Sequence, residues 1–146
     1  MPTLAMIEVH DVVTVKNEYR YQFTPKHHGA DKKAAQWLPS LTRDEEFSVF
    51  NMADQNGLAD LGGNLYGIEK VGIDELRTIG TRGEQVAKFP ATAQDQAWHG
   101  YPAWVLAGGN RAGDDMKPPK PVLDAMQNMG FITKRGRKRL GKGDPV

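Results

Sequence analysis

Not one residue of this chain is a cysteine, so whatever it folds into must be closed by burial of apolar side chains alone. Disulfide staples, thiolate chemistry and cysteine-based zinc sites are excluded. At 146 residues this is feasible for one domain, because a chain of that size buries roughly 70% of the surface its unfolded form exposes. Three Trp, four Tyr and five Phe supply bulky apolar groups. No stretch approaches the roughly 20 apolar residues of a membrane span. The opening run has no basic start and is soon interrupted by Glu8 and Asp11, unlike a secretory signal. The expectation is a single domain over residues 1–146, located in the cytoplasm and not in a membrane.

Punctuation along the chain sets the expected elements. Residues 4–9 and 12–15 are β-branched and apolar, and Tyr19, Tyr21 and Phe23 alternate with Arg20 and Gln22. That period of two puts the aromatics on one sheet face. Lys16-Asn17-Glu18 makes a tight connection, so an N-terminal hairpin is predicted, ended by Pro25. Residues 26–41 read as a loop with, at most, a helical turn over 32–38. Thr42-Arg43-Asp44-Glu45 fits a capping box, its acids suit a helix N-terminus, and Phe47, Phe50 and Ala53 or Asp54 follow at helical spacing up to Gly57.

Gly57, Gly62, Gly63, Gly67 and Gly72 mark a loop with short extended pieces. Residues 73–79 fit a short helix or a strand. A turn at Gly80-Thr81-Arg82-Gly83 leads to a strand over 84–89, ended by Pro90, and another strand is expected over 103–107. After a Gly- and Asp-rich loop, the Pro118–Pro121 region starts a helix whose apolar stripe is Val122, Leu123, Met126 and Met129. Gly130 is a natural C′ residue, over which Phe131 can fold back. Thr133 caps a second short helix over 134–140; the alternative for 131–140 is a β-ribbon bent at Gly136. The fold class is therefore α+β: a small mixed or antiparallel sheet with an N-terminal hairpin, one central helix, and a C-terminal helix followed by a basic helix or ribbon.

Charge carries the main functional signal. The net charge is only +1, but residues 1–73 are acid-rich and residues 74–146 are base-rich. Within the segment 130–146, Lys134, Arg135, Arg137, Lys138, Arg139 and Lys142 face a single acid, Asp144. Phosphate backbones attract such clusters, because each neutralised phosphate releases condensed counterions. The leading expectation is a small non-enzymatic binding protein whose basic segment contacts an anionic partner, above all nucleic acid. Acidic proteins are a second class of partner, and a solvated tail is the reading without function. A second hypothesis is a protein-interaction or homo-oligomeric domain built on exposed aromatics.

A third hypothesis is a small enzyme. In the run Trp98-His99-Gly100-Tyr101-Pro102, a histidine sits among aromatics and two chain-bending residues. With a pKa near neutrality, His99 suits acid–base work once a carboxylate orients it; Glu84, Asp95, Asp114 and Asp115 are the candidates, and sequence spacing does not select among them. The alternative is that Trp98, His99, Tyr101 and Trp104 form a ligand or partner surface, or simply core.

Other motifs carry less. His27-His28, with His10 and Asp31, lacks metalloenzyme spacing, and adjacent residues of a strand face opposite ways, so no metal or other cofactor is expected. Gly62-Gly63 and Gly108-Gly109 match no phosphate-cradling motif, and the two serines, Ser40 and Ser48, lie in no nucleophile elbow. Met116, Met126 and Met129 read as core packing.

Overall fold

In the computed structural model, the described residues are 12–29, 34–93, 95–105 and 117–146. The first half of the predicted hairpin, residues 4–9, together with His10, Asp31, Asp114, Asp115 and Met116, lies outside them. Within these described residues, five short strands form two antiparallel sheets. β1 (Leu65–Gly67), β4 (Val86–Phe89) and β5 (Tyr101–Trp104) make a three-stranded sheet in the order β1-β4-β5; β2 (Lys70–Gly72) pairs with β3 (Glu75–Leu76). Three α-helices among the described residues accompany them: α1 (Arg43–Gln55), α2 (Lys120–Asn128) and α3 (Lys134–Lys142). This is a small α+β fold.

Side-chain alternation along the strands explains why the sheet has a core on each side. Leu65, Ala87 and Phe89 join Val49, Phe50 and Ala53 of α1, with Tyr21, Phe23, Trp37 and Trp98, in one buried cluster. Tyr66, Val86 and Trp104 join Val122, Leu123 and Met126 of α2 and Leu140 of α3 in the other. The three-stranded sheet thus lies between α1 and the α2–α3 pair. Gly67 permits the approach of α1: a Cβ there would meet the backbone carbonyl and side chain of Val49.

Local signals hold where they are strongest. Thr42 caps α1 with a reciprocal capping box to Glu45, and Gly57 follows with φ +62°. α2 ends in a Schellman arrangement, with the Phe131 N–H on the Met126 carbonyl at 2.9 Å, the Gly130 N–H on that of Gln127 at 3.0 Å, and Gly130 at φ +83°. Residues 134–142 are a helix and not a ribbon, capped by the Thr133 hydroxyl, which accepts from the Gly136 N–H. The Lys16-Asn17-Glu18 turn is present, but among the described residues its arms share only the Val13–Arg20 bridge instead of a strand ladder. Asn51 and Asp54 of α1 accept the Val15 and Asn17 N–H groups of the turn, and Tyr21 of the second arm bridges to Trp98.

Several expectations change. Pro25 starts a 3-10 turn, Pro25–His27. The ambiguous stretch 73–79 is strand at Glu75–Leu76. The strand expected over 103–107 lies earlier, at Tyr101–Trp104, because Val105 turns away with φ +60°. β5 tolerates Pro102 as an edge strand whose register with β4 shifts between Val86 and Ala87. Met129 is exposed at the helix end and so is not part of the apolar stripe. Among the described residues no helix is long and apolar enough to cross a membrane.

Candidate functional site

Two places gather chemistry-bearing side chains. The first is α3. At 100° per residue, Lys134, Arg135, Lys138, Arg139 and Lys142 fall within an arc of about 140°, while Gly136 and Leu140 lie on the far side. Burial follows this division: the five cations are exposed, and Gly136 and Leu140 are buried. The Leu140 carbonyl accepts from the indole N–H of Trp104 at 2.7 Å, which ties the helix to β5. Arg137 departs from the group. It is half-buried toward α2 and donates from Nε to Asp124 at 2.6 Å. Lys120 and Arg137 together hold the Asp124 carboxyl below its ordinary pKa, the Arg137 hydrogen bond being the larger cause.

Lys134 and Arg135 stand at the N-terminal end of α3, where the helix dipole disfavours positive charge. Asp74, in the β2–β3 turn, offsets this by accepting the Thr133 hydroxyl at that end. The chain closes beside it. Gly143 takes the left-handed conformation at φ +80°, and the Val146 N–H and C=O both pair with the side-chain amide of Gln85.

The second place is a cavity of about 560 Å³ between the Pro25–His27 turn, residues 34–35, the 82–84 turn and β5. His99 reaches it because both of its neighbours are fixed. Trp98 is buried, with its N–H on the Arg20 carbonyl and its C=O accepting from Gln22. Gly100 lies against the Phe89 ring so closely that a Cβ would not fit, and its carbonyl accepts the Trp37 indole N–H at 3.2 Å. With Trp98 directed into the core, His99 is left on the outer side, at the cavity.

The lining is graded. Buried His27 and Glu84, half-buried Tyr101, and exposed Lys26, Arg82 and His99 all border the space. His27 stacks on Tyr101, with ring centroids 5.0 Å apart, and its Nδ1 lies 2.8 Å from the Ala35 carbonyl. Since a carbonyl only accepts, Nδ1 carries the proton, and in the neutral ring Nε2 is left as an acceptor. Burial lowers the His27 pKa against the opposing Ala35 hydrogen bond, and the Lys26 charge lowers it further. Loss of hydration, then Lys26, also lowers that of His99. Burial raises the Glu84 carboxyl, although the Arg82 N–H donates to it at 2.9 Å.

The predicted residues therefore divide. Trp98 and Trp104 are buried, one in each core, leaving only His99 and Tyr101 of that proposed surface on the cavity. His99 and Glu84 line the same space, whereas Asp95 is absent from its lining. His27, weighed in the sequence only as a metal ligand, and Lys26 and Arg82, which the sequence reading passed over, line it too. His28 instead meets the buried Glu46 at 2.9 Å, and Glu46 also accepts the Tyr21 hydroxyl. Among the described residues no three His, Asp or Glu side chains converge as a metal site. Comparison with family models, with curated proteins and with solved structures finds no match to this chain.

Proposed function

We propose that the protein binds an anionic polymer, foremost nucleic acid, through the exposed face of α3. One observation carries this reading: five of the six cations of the basic segment share one exposed arc of a capped helix. A nine-residue helix is about 13 Å long. Two rows of cations, Lys134-Lys138-Lys142 and Arg135-Arg139, run along it at four-residue spacing, suited to following a phosphate backbone or the edge of a major groove. Contacts of that kind fix position without reading bases, so the proposed binding is indifferent to sequence.

The test is titration of a short DNA duplex at several salt concentrations. With four to five phosphates neutralised, log affinity should fall with log salt at a slope of about −4. Replacing Arg135, Lys138 and Arg139 together with Ala should bring the slope to about −2 or abolish binding. Binding that is absent at low salt, or that is untouched by the triple substitution, would overturn the reading.

A further inference from the structure

The cavity beside β5 has a composition of its own. Its volume, about 560 Å³, falls in the range of pockets that enclose a small organic molecule. The polypeptide around it is tied at several points. The Glu84 carbonyl accepts from the N–H groups of both Ile79 and Gly80, Gln36 donates to the Lys26 carbonyl at 2.8 Å, and the Thr81 N–H reaches the Gln36 carbonyl. A pre-shaped space of this kind costs a ligand little ordering of the protein.

Its chemistry narrows the ligand. The His27–Tyr101 stack gives one wall a flat aromatic character, suited to a planar ring. Ala35 and Ala103 leave room where larger residues would fill it. Among the described residues of the lining, the exposed permanent charges, Lys26 and Arg82, are both positive, whereas the carboxyl, Glu84, is buried. His27 Nε2 adds an acceptor for a ligand N–H or O–H.

We infer that this cavity is a binding site for a small aromatic acid: a planar ring against Tyr101 and His27, with its carboxylate, sulfonate or phosphate toward Lys26. No α3 residue is among the described lining, so the site is separate from the proposed nucleic-acid face. The lowered pKa values of His27 and His99, caused first by burial, favour the uncharged form of both rings in this lining.

The experiment uses the full chain and a matched pair of probes. 8-Anilinonaphthalene-1-sulfonate is an aromatic monoanion, and N-phenyl-1-naphthylamine is its near-isosteric neutral counterpart. The sulfonate should bind saturably, one per chain, with blue-shifted emission, and should shift the ring resonances of His27 and His99. Lys26→Gln should weaken the sulfonate about threefold and leave the neutral probe unchanged, the size expected of a partly exposed ion pair. Ala35→Trp, which fills the cavity, should weaken both probes at least about tenfold. Arg135→Ala/Lys138→Ala/Arg139→Ala on α3 should leave both intact, separating this site from adventitious pairing with surface cations. The inference is overturned if binding is unsaturable, if it is lost with the α3 substitutions, if Lys26→Gln affects the two probes alike, or if neither histidine responds. The histidine readout needs no substitution, so it decides the matter even if Ala35→Trp fails to fold.

Discussion

Gly100 stands where the chain leaves no room for a side chain: a Cβ would enter the Phe89 ring and press on the Lys88 carbonyl. Gly100→Ala should therefore cost about 1–3 kcal/mol as an overpacked core position, read as a lower urea midpoint. The same change should disturb His99, the next residue, and so weaken aromatic-acid binding. At the surface, Glu45 combines two roles. It closes the capping box of α1 and accepts from Arg77 at 2.6 Å. The Arg77 hydrogen bond, and after it the Thr42 N–H, bring its carboxyl down from 4.5 to about 2. A depressed carboxyl contributes stability in full above its unfolded value and loses it as protons bind. Glu45's share should accordingly fade from pH 4.5 toward about pH 2. Unfolding midpoints of Glu45→Gln should converge with those of the parent chain across that window. The histidines have the opposite chemistry but the same direction. His27 and His99 are held below 6.5, so the unfolded chain takes up protons first and stability falls as pH drops below 6.5. Urea midpoints at pH 7.5 and 5.5 should differ less in His27→Gln/His99→Gln than in the parent.

Among the elements, α3 divides its arginines between two tasks. Arg137 bonds to Asp124 between the two C-terminal helices, whereas Arg135 lies on the open face. Arg137→Ala should lower the melting temperature and leave the salt slope of DNA binding unchanged; Arg135→Ala should do the reverse, altering stability by no more than about 0.5 kcal/mol. Thr133→Ala removes the cap and should cost about 1 kcal/mol. The helices were legible in the sequence because their signals are local. Thr42 with Glu45, Gly130 with Phe131, and Thr133 each bond within a few residues of themselves. The strands were less so. At two to four residues they are too short for a period to show, and their placement depends on distant partners. Pro102 made 101–104 look unlike a strand, and only the edge position and shifted register of β5 explain its presence there. The cavity was legible in three residues, His99, Tyr101 and Glu84. Its other half, Lys26 and His27, comes from a turn more than 50 residues earlier in the chain, joined to it by packing that no local pattern encodes.

At the scale of the whole molecule, Gln85 binds the end of the chain to the sheet. Its buried amide donates to the carbonyls of Leu76 and Val146 and accepts from the Val146 N–H. Gln85→Ala would strip partners from the buried Leu76 carbonyl and the part-buried Val146 backbone and should cost about 1–3 kcal/mol, with a matching fall in melting temperature. The alternation along β1 and β4 has a wider effect. Leu65 serves one cluster and Tyr66 the other; Val86 and Ala87 divide in the same way. Because adjacent residues on one strand belong to opposite sides, no cut in the chain separates the two halves of the interior. Limited proteolysis should accordingly release no persistent folded fragment: once either side opens, the other loses the wall it rests on.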